Sequence, residues 1–242
     1  IADMYMHTGT IAQQILKAGI SANLSCGGVY FGAPEDFSPD KCNDCRNQQE
    51  LTEQWHNAGD GQILVDASIH AEYTSNPPLW QWMADYAAQH NLGMQVHISE
   101  TQLEHNNCLE KYGKTPVALL DQYGVWGRGG TAAHCVWVTD EDMALMAQKL
   151  ITAVHNPVSN LKLGSGVARV PQLLKAGVNV TLGTDGVSSN NNTDLFEEIK
   201  LAAILHKGVQ RDPMAVTAHE ALAMATVNGA RALGRDTGVI AP

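Results

Sequence analysis

VNVTLGTDGVSSNNN, residues 178–192, runs from strand-forming residues into an Asp, a Gly and then a loop of Ser and Asn. Asp-Gly is a common turn dipeptide, so the stretch alone marks only a turn. What decides the fold is whether other strands end the same way. Short β-rich runs recur at GISANLSC (19–26), QILVDASIH (62–70), GMQVHISE (93–100), GTAAHCV (130–136) and LITAVHN (150–156). Amphipathic segments separate them, at 9–18, 47–57, 78–90, 115–122, 139–149, 167–176, 193–207 and 216–231. Thr139-Asp140 and Pro78 supply helix-entry signals. Strand–helix alternation with short apolar strands implies parallel pairing and helical crossovers. Neither GxGxxG nor GxxxxGK[ST] follows the first strand, which favours a barrel over a nucleotide-binding open sheet. No repeat or Pro/Gly/Ser linker divides the chain, so residues 1–242 read as one α/β barrel domain. Residues 27–50, rich in Gly, Pro, Asp and Asn, read as a long loop over the site.

The 242 residues, 44% hydrophobic and 17% charged, supply ample material for a core. Against 25 Asp and Glu stand only 15 Lys and Arg, a formal net charge of −10. That balance argues against nucleic acid and anionic membrane surfaces, both of which need basic patches, and leaves a small-molecule substrate as the expected partner. No apolar run approaches the roughly 20 residues of a membrane span, and no basic-then-apolar leader opens the chain. The reading is therefore soluble and cytoplasmic, with a homo-oligomer left open. Five cysteines are an odd number and suggest no secreted disulfide framework. Cys42 and Cys45 form a CxxC inside the polar run SPDKCNDCRNQQE and read as structural or incidental.

In a barrel, the strand ends His70, His97 with Glu100, His134, His155 and Asp185 all face one side. Imidazole and carboxylate groups on rigid elements suit a divalent metal. His97 and Asp185 are the best ligand candidates, and Glu100, three residues past His97, is placed to act as an acid/base. His7, His56, His90, His105, His206 and His219 lie on or beside helices and read as surface or packing groups. Trp80, Trp82 and Met83 read as one packed helix face, and Asn190–Asn192 as a turn and helix cap.

VHISET (96–101), AAHCV (132–136), HNPVSNLKLGSG (155–166) and LGTDGVSSNNN (182–192), in this order, resemble the amidohydrolase superfamily. Within it the chain is most similar to deaminases of 5'-methylthioadenosine/S-adenosylhomocysteine type and related chlorohydrolases. The similarity runs from DMYMH to NGARALG. The resemblance implies a (β/α)8 TIM-type metal-dependent hydrolase barrel, with His97 and Asp185 as ligands of one divalent metal, zinc or iron. It implies that Glu100 passes a proton to the substrate ring and that His134 holds and polarises a metal-bound hydroxide. His70 would contact substrate, and Asp185 would also take a proton from the water. The reaction implied is hydrolytic deamination of an adenine nucleoside. The alternatives are another amino- or chloro-substituted heterocycle, such as guanine or a triazine, and a metal-free barrel used for binding. Arg46 lies near the loop where such deaminases carry substrate-binding arginines, and SIHAEYTS (68–75) departs from their proline-rich turn.

The family's site also begins with an HxH pair, and no HxH occurs in the sequence. Six strands and a remnant at IADMY leave the barrel about two strands short of eight, and the family's small β-sandwich is not visible. The expectation is an incomplete barrel, truncated at its N-terminal side and before the sandwich, with half the metal ligands, weak or no metal binding and no turnover alone.

Overall fold

The computed structural model describes residues 1–240. In chain order the elements are β1 (Ala2–Met4), α1 (Thr8–Ala18), β2 (Ala22–Ser25), α2 (Asn43–Trp55), α3 (Ala58–Gly61), β3 (Ile63–Val65), β4 (Ala67–Ile69) and α4 (Pro77–His90). They continue with β5 (Met94–Ile98), α5 (Gln102–Tyr112), α6 (Pro116–Gln122), β6 (Gly130–His134), α7 (Asp140–Gln148), β7 (Ile151–His155), α8 (Pro157–Lys162), α9 (Val170–Lys175) and β8 (Val180–Leu182). The last are α10 (Val187–Asn190), α11 (Leu195–Gln210), α12 (Ala218–Ala225) and α13 (Val227–Ala232). Strands lie in two sheets, of three and five, and the order and parallel sense are those of an incomplete (β/α)8 barrel. The described residues gather into two compact units, one of Ile1–His97 with Leu119–Gly130, the other of Ile98–Ala118 and the chain from Thr131.

In the first unit the remnant at IADMY is a true strand. β1 pairs in parallel with β2, and β2 with β3. The run at 62–70 is two strands rather than one, because it changes partner at Asp66. Ahead of that residue β3 pairs with β2; after it β4 pairs with β5. The Asp66 carboxylate is buried and accepts hydrogen bonds from Asn23 Nδ2 at 3.2 Å and Gln95 Nε2 at 2.9 Å. A buried carboxylate is tolerated only when its oxygens are satisfied in this way. Gly93 leaves it room, since a Cβ there would sit 2.6 Å from Asp66 Oδ1. Ile15, Leu24, Leu51, Ile63 and Val65 close the core between α1, α2 and the sheet. Trp80 and Met83 are fully buried on α4, as read from the sequence, whereas Trp82, assigned to the same face, is half-buried and stacks on Tyr86.

Two features of this unit depart from the sequence reading. The segment 27–50 is not all loop, because α2 begins at Asn43. The CxxC therefore opens a helix, with Cys42 at its N-cap and both cysteines buried, where a run of polar neighbours had suggested a polar loop. The helix buries a narrow face of Cys45, Gln48, Leu51 and Thr52, with Leu51 at 3% exposure, and exposes Asn43, Asn47, Glu50, Glu53 and Gln54.

In the second unit β7 and β8 pair in parallel, and the Ile98 and Ser99 carbonyls accept from the N–H groups of Cys135 and Trp137 at 3.0 Å each. The periodicity did not reveal α5 or α8, though α5 carries strong local signals. Thr101 Oγ1 accepts from Glu104 N at 3.2 Å while Glu104 Oε2 accepts from Thr101 N at 3.3 Å, a reciprocal cap. Gly113, at φ 66°, closes the other end. The same reciprocal cap opens α7 through Thr139 and Asp142, and α12 through Thr217 and Glu220.

Candidate active site

Apart from Arg46, which lies in α2, the predicted site residues fall at strand ends or in the turns that follow, and they form two local groups. In the first unit, His70 and His97 lie with ring centroids 4.8 Å apart. His97 Nδ1 is 2.7 Å from the His70 carbonyl oxygen. A carbonyl can only accept, so Nδ1 carries the proton and the lone pair belongs to Nε2. Metal-ligating histidines are commonly fixed by such a bond from their other nitrogen. His70 Nδ1 is 3.2 Å from Thr74 Oγ1 in the turn after β4. Arg46 is exposed on α2 and engaged close to home, with Nη1 donating to the Asp40 carbonyl at 2.6 Å and Nη2 to the Asn43 side chain.

In the second unit, His134 ends β6 with its side chain 2% exposed, and its Nε2 stands 3.7 Å from Glu100 Oε2. On the other side of the ring, Nδ1 is 2.9 Å from Asn160 Oδ1, which makes Nδ1 the donor and turns the Nε2 lone pair towards the carboxyl group. Glu100 Oε1 accepts from Ser165 Oγ at 3.3 Å. The backbone beneath it is held by Glu104, whose Oε2 accepts from Glu100 N at 2.9 Å. Burial raises the Glu104 carboxyl above the usual range, partly offset by those backbone N–H groups. Asp185 accepts from Ser159 Oγ at 2.6 Å through Oδ2 and from Gly186 N at 2.6 Å through Oδ1.

Backbone strain marks the same places. Ser99, His134, Cys135 and Asp185 all have φ between 46° and 71°, a region that costs a non-glycine residue of order 1–3 kcal/mol. Each lies just past or at the end of β5, β6 or β8, where the chain leaves the sheet and re-aims a side chain. Strain of this kind persists when surrounding bonds over-determine it, and Asn160, Ser159 and Ser165 supply those bonds.

Those three residues are what sequence reasoning missed. The motif HNPVSNLKLGSG contains all of them, but nothing in its spacing says that Asn160 reaches His134, Ser159 reaches Asp185 and Ser165 reaches Glu100. His155, another of the strand-end residues, makes no side-chain bond to its own loop. Instead its Nε2 meets His206 Nε2 of α11 at 3.2 Å, and its buried Nδ1 has no hydrogen-bond partner among the described residues. Among the described residues no three His, Cys, Asp or Glu side chains are grouped so as to hold a metal ion.

The His155–His206 contact carries a pH prediction. Burial, then His206 and His134, pushes His155 down to about 3, and burial pushes His206 down to about 4. Unfolded, both would titrate near 6.5. Between about 6.5 and 4 the unfolded chain thus takes up protons that the folded chain refuses. The stability this pair contributes is complete above pH 6.5 and is lost as the pH falls through that window. Urea midpoints at pH 7.5 and pH 5 should show the loss, and His206→Gln should flatten it. Equal pH dependence in the wild type and the variant would remove the pair as its cause.

The Amidohydrolase family profile matches residues 1–242. A 5-methylthioadenosine/S-adenosylhomocysteine deaminase of Dictyoglomus thermophilum is 44% identical over 241 residues, covering 99% of this chain and 55% of that protein. A 5'-deoxyadenosine deaminase of Methanosarcina acetivorans is 41% identical over 239 residues, covering 99% and 54%. Among solved structures, an adenosine deaminase from Xanthomonas campestris with bound zinc superposes with a TM-score of 0.88 at 33% identity, over 96% of this chain and 52% of that one. The chain spans about half the length of the curated relatives it matches.

Proposed function

The chain belongs to the amidohydrolase family, and from that premise we propose that it forms the catalytic part of a hydrolytic deaminase of adenine nucleosides of the 5'-methylthioadenosine/S-adenosylhomocysteine type. The observation that carries the reading is the Glu100–His134 pair, 3.7 Å apart, with His134 anchored by Asn160 of α8 and Glu100 by Ser165 just after it. The identities of 41–44% to proteins named as nucleoside deaminases support the substrate class.

The donor set fits a divalent metal. His97 has its Nδ1 committed to a carbonyl, and Asp185 has its carboxylate oriented by Ser159 and Gly186. Imidazole with carboxylate suits zinc or iron, and zinc is favoured by the zinc-bearing relative. The family resemblance assigns His97 and Asp185 to one divalent metal, which would lower the pKa of water from about 15.7 to near 7.

The chain's own residues account for the proton movements. Asp185 accepts a proton from the attacking water. Glu100 carries a proton on Oε2 and delivers it to the ring nitrogen next to the amine-bearing carbon. His134, its Nδ1–H held by Asn160, presents Nε2 to that exchange and keeps the tautomer fixed. Water adds to the carbon; Asp185 passes the proton it took to the amine, the C–N bond breaks and ammonia leaves, while the adduct's hydroxyl proton returns to Glu100 as the carbonyl forms and the first proton stays on the ring nitrogen. We assign His70, whose Nδ1 is 3.2 Å from Thr74 Oγ1, to contact with the nucleoside.

Ammonia release by the full-length protein tests the assignment. It should occur with 5'-methylthioadenosine and S-adenosylhomocysteine, and be at least tenfold slower, by kcat/KM, with guanine or an amino-triazine. A preference for either of the latter would overturn the substrate class, and no ammonia from any of them by a zinc-loaded protein would overturn the reaction.

A further inference from the structure

The deaminase reading makes no use of the thiols. All five cysteines are free, and three meet around the first turn of α2. Cys42 is the N-cap and Cys45 the third helical residue. Cys26, just after β2, places its Sγ 3.4 Å from Gln48 Oε1 and 3.9 Å from the Asp44 carbonyl. An N-cap side chain is aimed across the first turn at the third residue. Here that residue is Cys45, so the CxxC spacing puts two buried cysteines three residues apart on the first turn of the helix. The turn is already ordered around them. The Cys42 carbonyl accepts from Arg46 N at 3.2 Å. Asp44, between the cysteines, accepts from Val29 N at 2.8 Å and Asn47 Nδ2 at 3.2 Å. Little chain entropy is left to lose in joining two thiols on a turn already ordered in this way.

We propose that Cys42 and Cys45 are a reversible modification site, a dithiol that closes to a disulfide across the first turn of α2 on exposure to a peroxide. One sulfur takes an oxygen from hydrogen peroxide, giving a sulfenic acid and one water. The second sulfur then displaces that hydroxyl as a second water and forms the S–S bond. Two thiols are oxidised and one peroxide is reduced to two waters.

The surroundings set the character of the couple. Both cysteines are at most 5% exposed. Burial, with neighbouring Cys42 next, holds the Cys45 thiol well above its ordinary range, and burial with Asp44 pushes nearby Cys26 up to about 12. Neutral thiols attack slowly, and a thiol of high pKa is a poor leaving group from a disulfide. The bond therefore forms slowly and resists reduction, unlike a fast exchange catalyst. Once formed it fixes the turn that Asp44 ties to Val29, and with it the path from β2 into α2.

Peroxide treatment of the folded chain, followed by alkylation in denaturant and tryptic mass spectrometry, tests this. Cleavage after Lys41 and Arg46 places both cysteines in the single peptide 42–46. That peptide should be lighter by two hydrogens and take no alkyl group, with dithiothreitol restoring both sites and titratable thiols falling from five to three. Cys26→Ser should leave this unchanged. Full alkylation of Cys42 and Cys45 after prolonged exposure would overturn the proposal. So would a cross-link from the Cys26 peptide 18–41, or sulfinic acid on Cys45 in place of the disulfide.

Discussion

Glu100→Gln in the full-length protein should lower kcat by about 10²–10⁴, the usual contribution of a positioned general acid/base, while leaving KM and metal content nearly unchanged. The amide has the same shape and still offers an oxygen to Ser165 Oγ, which now stands 3.3 Å from Oε1. The turn beneath is held by Glu104 through the backbone of residue 100, not its side chain. What the variant cannot do is carry a proton next to His134 Nε2. Ser165→Ala, which removes an orienting bond and keeps the carboxyl group, should cost far less and act on the same step. Steady-state kinetics with 5'-methylthioadenosine, beside a urea midpoint to show the fold intact, separates these effects. A Glu100→Gln enzyme within tenfold of wild type would remove Glu100 from the chemistry.

The largest expected stability effect lies in the other unit. Trp80 is fully buried on α4, its ring centroid 5.2 Å from that of Tyr123 in an edge-to-face arrangement, and its Nε1 donates to Ser75 Oγ at 2.8 Å. Trp80→Ala should destabilise by about 3–5 kcal/mol, the range for emptying an aromatic site in a close-packed core, or on the order of 10 °C in Tm. Trp80→Phe keeps most of the volume and the aromatic contact and loses only the indole bond. Ser75 Oγ still donates to the Ala71 carbonyl at 2.9 Å, so no donor is stranded and the cost should stay near 1–2 kcal/mol. Denaturation curves for the two variants decide whether packing or the hydrogen bond dominates. Equal losses would point to the bond.

Much of this was legible from residue order. Strand-ending His70, His97, His134 and Asp185 announced themselves because short apolar strands in a parallel fold give few other reasons to place so many polar groups at their ends. The helix packing of Trp80 and Met83 followed from spacing. Less visible was anything that depends on a partner far along the chain. The break between β3 and β4 at Asp66 arises because Asn23 and Gln95 converge on its carboxylate from two different strands. CNDCR looked polar because only Cys42 and Cys45 turn inward, and a five-residue window cannot show which side of a helix start faces the core. α5 was hidden by weak amphipathicity, although the Thr101–Glu104 cap that starts it can be read directly in TQLE.

By itself, the sequence determined the class of the fold and the residue types at the ends of its strands, because strand and helix periodicity and chain direction are local properties of a parallel α/β chain. The tertiary structure alone decided how those residues are tuned. Asn160 selects the His134 tautomer from 26 positions away, Ser159 and Ser165 orient Asp185 and Glu100, and His206 crosses to His155. Hydrogen bonds act over about 3 Å, and only the folded chain brings residues so distant in sequence to that range. The left-handed turns at His134 and Asp185 belong to the same category, since their cost is met by bonds that do not exist until the fold is complete.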